Sequence, residues 1–230
     1  EGVLAELKAG GISKKTKFAL SVAAFNRIAN YDAAISDYLS SIQDDGTRAP
    51  FPGQFNAGFV KVQDLRYGEN PHQSAAFYRD LRARPGALAL AESVGAGGKE
   101  LSFNNLVDLD AALEAVREFE EPAAVVVKHT NPCGVAVASD LATAYQRARA
   151  SDPVSAFGGI VALNRAVDEA TAKALVETFL ECVVAPSFAP AALAILHQKK
   201  NLRLLDVGAI RNLVGEVALV VRSEERRVGK

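Results

Sequence analysis

The sequence predicts an α/β fold in which helices cover both faces of a central sheet. Two observations support this fold class. Strand candidates, three of which are apolar at every position, alternate with amphipathic helix candidates beyond residue 100, and an all-apolar strand is typical of a sheet buried on both faces. Hydrophobic residues make up 49% of the 230 residues, which is enough for an ordinary globular core.

The chain begins with a predicted helical region over residues 1–39. Ser13 suits an N-cap, and apolar residues after it recur at helical spacing on two neighbouring tracks. The tracks are Phe18, Val22, Phe25 and Ala29, and Ile28, Tyr31, Ile35 and Tyr38. This pattern predicts one long helix, or two helices joined near Asn30. Residues 40–54 are polar and contain two prolines and two glycines, which predicts a linker and a domain boundary.

Strands and helices alternate in the second part of the chain. The strand candidates are residues 123–127, 160–163, 182–185 and 202–205. Each helix candidate places its apolar residues on one face: Leu109, Ala112, Leu113 and Val116; Leu141, Ala144, Tyr145 and Ala148; Ala172, Leu175, Val176 and Phe179; and a helix near residues 191–198. Asp108 and Asp140 are the predicted N-caps of the first two helices.

Lys128 and His129 are candidate catalytic residues because they follow strand 123–127 directly. Ligands of α/β sheets tend to bind beyond the carboxyl ends of strands. A type I turn predicted at residues 131–134, Asn-Pro-Cys-Gly, would hold the pair at the sheet edge. Histidine exchanges protons near neutral pH, and a partly desolvated lysine has a lowered pKa and can take part. Spacing alone supports a site and a solvated loop equally.

Residues 65–73, Leu-Arg-Tyr-Gly-Glu-Asn-Pro-His-Gln, form a second polar cluster. Arg66 offers a rigid fork of donors that suits phosphate or carboxylate. Tyr67 adds an aromatic ring and a hydroxyl. An ordinary polar loop is the better supported interpretation on composition alone.

Four later residues are further candidates for contact with a ligand. Asn104 and Asn105 precede a predicted helix, so that one would cap it and the other could contact a ligand. Gly158 could bring the backbone close to a ligand, and Glu181 could accept hydrogen bonds from ligand hydroxyls. A turn and a solvated carboxylate are the alternatives for the last two.

Composition excludes several classes of protein. The net charge is −1 without a basic stripe, which argues against a nucleic-acid binder, and no apolar run approaches the roughly 20 residues of a membrane span. Cys133 and Cys182 are too few for a disulfide framework, and no signal peptide is evident, so we expect a cytoplasmic protein.

The histidines lack metal-ligand spacing. Residues 129–134 only partly match the zinc-deaminase signature, so no zinc is expected and a zinc deaminase is the weakest alternative.

Several long motifs together resemble one protein family. They are "LRYGENPHQ", "ELSFNNLVDLDAA", "VVVKHTNPCGVAV", "SDPVSAFGGIVALNR", "VVAPSF" and "KKNLRLL". Their order and spacing are similar to those of bifunctional purine biosynthesis proteins that combine AICAR transformylase and IMP cyclohydrolase. The resemblance implies a three-layer, cytidine-deaminase-like subdomain in residues 63–221, the N-terminal half of the transformylase domain. Residues 1–39 would be the C-terminal end of the cyclohydrolase domain, with a linker at 40–62.

The resemblance also implies a reaction and roles for individual residues. The reaction is formyl transfer from the co-substrate 10-formyltetrahydrofolate to the 5-amino group of AICAR, in the biosynthesis of IMP. His129 would be the general base and Lys128 the neighbouring cation or acid. The nucleotide-binding positions of the family match five residues: Arg66, Tyr67, Asn105, Gly158 and Glu181. Arg66 would contact the phosphate. A homodimer is implied for the whole protein.

Other features predict an incomplete chain. It begins at Glu1 and contains no methionine. By resemblance, the second half of the transformylase domain is absent, as is the cyclohydrolase site that converts FAICAR to IMP. Residues 222–230 resemble a translated sequencing adapter, and the sequence after about Asp206 departs from the family pattern. A catalytically silent nucleotide-binding fragment is therefore the alternative to an active transformylase.

Overall fold

The computed structural model describes residues 2–97 and 99–210. The predictions made for residues 211–230, including the adapter-like tail, lie outside this part of the chain. The chain divides into two units, residues 1–60 and 61–230, which are described separately. Within the described residues, no helix is both long enough and apolar enough to span a membrane.

The first unit contains two helices, α1 (Gly2–Lys8) and α2 (Lys14–Leu39). Ser13 is the N-cap of α2, as predicted, and its Oγ accepts a hydrogen bond from the backbone N–H of Thr16 at 3.1 Å. The helix is continuous, so the alternative of two helices joined near Asn30 is wrong. The apolar tracks that predicted the helix lie exposed, with Phe18 at 73% and Phe25 at 77% exposure.

As far as residue 210, the described part of the second unit is built on a mixed sheet of six strands in the order β3-β8-β7-β6-β4-β5. The bounds are β3 Glu92–Ser93, β4 Ala123–Lys128, β5 Asn131–Val137, β6 Gly159–Leu163, β7 Leu180–Ala185 and β8 Arg203–Asp206. Strands β6, β7 and β8 are parallel, whereas β4 is antiparallel to both β5 and β6. A separate ribbon pairs β1 (Phe59–Leu65) with β2 (Ala75–Asp80), and a 3₁₀ turn covers Leu88–Leu90.

Helices cover both faces of this sheet, which confirms the predicted α/β fold class. The helices are α3 Phe103–Val116, α4 Leu141–Ser151, α5 Pro153–Ala156, α6 Glu169–Val176 and α7 Pro190–Leu196. Leu109 of α3 packs in one buried cluster with Val125 of β4, and Tyr145 of α4 packs in the opposite cluster with Val126. Successive residues of β4 therefore point to opposite faces, as the pleat requires.

The predicted N-cap of α3 is wrong. The helix begins at Phe103, and Ser102 is its N-cap. Ser102 Oγ accepts from the Asn105 backbone N–H at 3.2 Å, while Asn105 Oδ1 accepts from the Ser102 N–H at 3.1 Å. This reciprocal capping box satisfies two backbone donors at once, whereas a cap at Asp108 would have left the first turn unformed. Asn105 thus lies inside the helix, and Asp108 lies in its second turn.

The type I turn predicted at residues 131–134 is also wrong. Asn131 begins strand β5 and pairs with Lys128, so the connection is the two residues His129 and Thr130, with φ values of 52° and 62°. Pro132 is tolerated in a strand because β5 is at the edge of the sheet and the register shifts between Val126 and Val127, next to it.

Candidate functional site

A cleft of about 600 Å³ opens at the edge of the six-stranded sheet. All seven residues predicted for the site line this cleft: Arg66, Tyr67, Asn105, Lys128, His129, Gly158 and Glu181. The structure therefore brings them together from widely separated parts of the sequence. Their individual roles remain predictions.

The position of the cleft follows from the mixed direction of the strands. Strand β4 ends at Lys128, and because it is antiparallel to β6, its carboxyl end lies beside the amino end of β6 at Gly159. Strands β7 and β8 run parallel to β6, so they also begin at this edge and contribute Glu181 and Arg203 to the cleft. The rule that ligands bind at carboxyl ends thus holds here for β4, whereas β6, β7 and β8 present their amino ends to the cleft.

The ammonium group of Lys128 is held close to the segment before β6. Its Nζ donates to the backbone oxygen of Phe157 at 2.7 Å. Gly158 has a φ of +69°, and a Cβ built there would lie 3.2 Å from Lys128 Nζ and 3.6 Å from the ring of Phe179. Glycine meets both demands because it favours a left-handed backbone and leaves room for the lysine.

His129 lies in a strained loop that a carboxylate holds. Both loop residues are left-handed, a conformation that costs roughly 1–2 kcal/mol for each non-glycine residue. The Asp108 carboxylate accepts from the backbone N–H of Thr130 at 2.7 Å and from that of His129 at 3.3 Å. The side chain of Asn131 donates to the His129 carbonyl oxygen at 2.8 Å. Hydrogen bonds to a charged acceptor, worth about 1.5–3 kcal/mol each, can offset the strain.

Glu181 is oriented by two neighbouring side chains. Asn105 Nδ2 donates to Glu181 Oε2 at 2.8 Å, and Arg203 Nη1 lies 3.6 Å from the same oxygen. Arg203 is itself fixed, because its Nε donates to the backbone oxygen of Lys99 at 3.0 Å. Asn105 therefore both closes the capping box of α3 and positions an acid of the cleft.

Arg66 and Tyr67 lie directly after β1, in a loop that turns back on itself. The Gly68 N–H donates to the Gln73 carbonyl oxygen at 2.8 Å and closes this loop. The guanidinium carbon of Arg66 lies 5.5 Å from the centroid of the Tyr67 ring. The loop thus presents an arginine fork and an aromatic ring at one end of the cleft.

The lining of the cleft carries more positive than negative charge. The basic residues are Arg66, Lys99, Lys128 and Arg203, and the acidic residues are Asp108 and Glu181. A cleft of this sign attracts anionic ligands.

Among the described residues, no three His, Cys, Asp or Glu side chains cluster as metal ligands would, and the expectation of no zinc stays a prediction.

Sequence reasoning missed part of this lining. The sequence pattern assigns Asp108 to a helix cap, although its spacing from Asn104 and Asn105 places all three on one side of α3. The pattern places Arg203 second in strand 202–205, whereas β8 begins at Arg203 and brings its charge to the edge of the cleft. Phe179 was placed on the apolar face of α6. That helix ends at Val176, and the Phe179 ring is 53% exposed.

The fold and the cleft define a class of protein. This is an α/β protein whose small-molecule site, at a sheet edge, combines a lysine–histidine pair with an excess of basic groups. Such a site suits a polar, anionic substrate and chemistry that moves protons.

Comparison with known proteins identifies the family. Residues 1–224 match the family described as AICARFT/IMPCHase bienzyme. The bifunctional purine biosynthesis protein PurH of Sorangium cellulosum (strain So ce56) is 60% identical over 216 residues, 91% of this chain and 41% of that protein. PurH of Xanthomonas campestris pv. campestris (strain 8004) is 57% identical over 212 residues, 89% of this chain and 40% of that protein. The chain belongs to the AICARFT/IMPCHase bienzyme family, as its motifs predicted, and spans about two fifths of the length of these curated relatives.

Proposed function

We propose that this chain contributes to an AICAR transformylase site, which transfers a formyl group from 10-formyltetrahydrofolate to the 5-amino group of AICAR during IMP biosynthesis. The observation that carries the proposal is the cleft in which Lys128 and His129 lie beside Arg66, Tyr67, Asn105, Gly158 and Glu181, the five residues that the resemblance assigns to nucleotide binding. Membership of a family named for this reaction supports it.

The chemistry explains why both Lys128 and His129 would be needed. The amine of AICAR is a weak nucleophile because its lone pair delocalises into the imidazole carboxamide. Its attack on the formyl carbon gives a charged tetrahedral intermediate, from which the amine proton must leave and the folate nitrogen must depart protonated. His129 would act as the general base, a role typically worth about 10²–10⁴-fold. Lys128 would stabilise the oxyanion or supply the proton, and a preorganised charge of this kind contributes several kcal/mol.

The remaining residues of the cleft would bind the nucleotide. Arg66 would contact the phosphate, for which its planar donors are suited, and Tyr67 would pack beside it. Glu181, held by Asn105, would accept hydrogen bonds from the ribose hydroxyls. Gly158 would let the ligand approach the backbone.

The proposal extends to the organisation of the chain. Residues 63–221 would form the N-terminal half of the transformylase domain, with a cytidine-deaminase-like arrangement of three layers. Residues 1–39 would be the end of the cyclohydrolase domain, residues 40–62 a linker and residues 222–230 a translated adapter. The whole protein would be a homodimer that binds AICAR and the folate.

A catalytically silent nucleotide-binding module is the second candidate. It is favoured by one observation, namely that the chain spans about two fifths of its curated relatives. Residues needed for turnover would then come from the part of the relatives that this chain does not match.

The test uses this sequence in a chain extended to the full length of the curated relatives. We expect formation of FAICAR from AICAR and 10-formyltetrahydrofolate; a folded protein without transfer would contradict the proposal.

Titration of AICAR into the 230-residue chain separates the two candidates, because binding without turnover supports the silent module and turnover by this chain excludes it. Arg66→Ala should weaken AICAR binding more than folate binding, and equal losses would remove Arg66 from the phosphate.

A further inference from the structure

The connection between β4 and β5 has a backbone geometry that its own sequence disfavours. Two-residue hairpin loops with positive φ at both positions are dominated by Asn-Gly and similar pairs. Here the two residues are His129 and Thr130, with φ values of 52° and 62°. A positive φ is a clear outlier for a β-branched residue such as threonine. Contacts from outside the loop must therefore help to hold this conformation.

The Asp108 carboxylate makes such a contact. Oδ1 accepts from the Thr130 N–H at 2.7 Å, and Oδ2 accepts from the His129 N–H at 3.3 Å. One carboxylate thus binds two consecutive backbone donors, which fixes the orientation of the two peptide units on either side of the His129 Cα. The other hydrogen bonds of the loop, from Thr130 Oγ1 and Asn131 Nδ2 to the His129 carbonyl oxygen, join residues that move together with the loop.

Asp108 is attached to a rigid part of the fold. Its neighbour Leu109 is fully buried in the core, and the capping box between Ser102 and Asn105 fixes the first turn of the same helix. Asn105 of that turn also holds Glu181. The helix α3 therefore sets the position of the His129 backbone and of the Glu181 carboxylate together.

We propose that Asp108 is a positioning residue for His129: through the two backbone N–H groups it holds the loop in the left-handed geometry that aims the imidazole at the reacting amine. The inference rests on the proposed function, and it assigns Asp108 a role through the loop backbone and not through contact with the substrate. A misplacement of a catalytic group by about 1 Å can cost about 100-fold in rate.

The first arm of the test does not depend on the reaction. Amide hydrogen exchange of His129 and Thr130 is measured by NMR in the 230-residue chain and in its Asp108→Ala variant. We expect both amides to exchange about tenfold faster or more in the variant, because each loses a charged acceptor. The matched control is Asp110→Asn, an exposed aspartate of the same helix, which should leave the exchange within about twofold. Unchanged exchange in Asp108→Ala would overturn the inference.

The second arm measures formyl transfer by this sequence in a chain extended to the length of the curated relatives. Asp108→Ala should lower kcat about 10-fold to 100-fold, with the dissociation constant of AICAR unchanged within about twofold. Asp108→Asn keeps one acceptor oxygen and should show an intermediate kcat. Thr130→Gly in the Asp108→Ala background should restore part of kcat, because glycine favours the positive φ that the carboxylate otherwise maintains.

The outcomes separate the two proposals. If the parent chain transfers no formyl group, the proposed function fails, and the exchange arm still decides whether Asp108 holds the loop. If the parent is active and Asp108→Ala keeps its kcat, the inference fails and the proposed function stands. An AICAR affinity that falls in parallel with kcat would make Asp108 a substrate contact and would also overturn the positioning role.

Discussion

The side-chain nitrogen of Asn105 lies 2.8 Å from Oε2 of Glu181, across 76 positions of sequence. Asn105 belongs to the first turn of α3 and Glu181 to strand β7, so this hydrogen bond joins a helix cap to the cleft. Because Asn105 Oδ1 also accepts from the Ser102 N–H, its two amide atoms have separate tasks. One stabilises the helix, and the other orients an acid.

These two tasks can be separated by a pair of substitutions. Asn105→Asp keeps an oxygen for the Ser102 N–H but replaces the donor to Glu181 by a second negative charge. We expect AICAR affinity to fall about tenfold. The cap is kept, but the free energy of unfolding should also fall, because the new carboxylate is buried and repels Glu181. Asn105→Ala removes both contacts and should also cost about 1–3 kcal/mol of stability. Calorimetric titration and urea unfolding measure the two effects. Unchanged affinity in both variants would separate Glu181 from ligand binding.

Gly158→Ala should impair both stability and turnover. The new Cβ would lie 3.2 Å from Lys128 Nζ, in a residue whose φ of +69° disfavours any side chain. We expect a loss of about 1 kcal/mol in the free energy of unfolding, and a fall in kcat because the ammonium group is displaced from its contact with the Phe157 oxygen. Gly97→Ala is the matched control, since Gly97 has a φ of +96° but nothing within 4 Å of its Cβ position. Gly97→Ala should lower the free energy of unfolding through the positive φ alone and leave kcat unchanged. Equal losses of kcat in both variants would contradict the steric explanation.

The strands and helices of the sheet could be predicted because burial and periodicity are local signals. Residues 123–127 are apolar throughout, and all are fully buried in strand β4, which lies between β6 and β5. The cap of α4 was also confirmed, because Asp140 accepts from the Thr143 N–H at 2.8 Å. The strand is selected by the exclusion of its apolar side chains from water. The cap is selected by a hydrogen bond between residues close in sequence.

The loop at His129 could not be predicted from local preference. Residues 131–134 have the composition of a turn, whereas the actual turn falls on two residues that disfavour it. Pairing of β4 with β5 overrides local propensity here, and Asp108, from a helix earlier in the chain, stabilises the result. The role of Arg203 was missed for a similar reason, because its contact with Glu181 depends on the pairing of β7 with β8.

Asp168 should make the stability of the second unit dependent on pH in acid. Its carboxylate caps α6 and accepts from the Thr171 N–H at 2.8 Å, and hydrogen bonds from Thr171 hold the pKa of Asp168 below its ordinary value of 3.8. Because folding lowers this pKa, the ionised carboxylate stabilises the folded unit at neutral pH. This contribution to the free energy of unfolding is lost as the pH falls below 3.8, the ordinary value, and through the lower pKa of the folded state. Asp168→Ala should therefore cost about 1 kcal/mol at pH 7, and the cost should shrink in acid.

Asp168→Asn is the matched control for this prediction. Asparagine caps helices about as well as aspartate but does not titrate, so this variant should lose little stability at pH 7 and should show no change of its own in acid. Urea unfolding at pH 7 and at about pH 3.5, close to the ordinary pKa of aspartate, measures both variants. If Asp168→Ala lowers the free energy of unfolding by the same amount at both pH values, the ionised carboxylate is not the stabilising group.

His129→Ala tests the general base directly. In this sequence, extended to the length of the curated relatives, we expect kcat for formyl transfer to fall about 10²–10⁴-fold, while AICAR still binds. His72→Ala is the control, since His72 is exposed and does not line the cleft. If a folded His129→Ala protein transfers formyl groups at the parent rate, another group accepts the amine proton, and Lys128 is the next candidate because it lies in the same cleft.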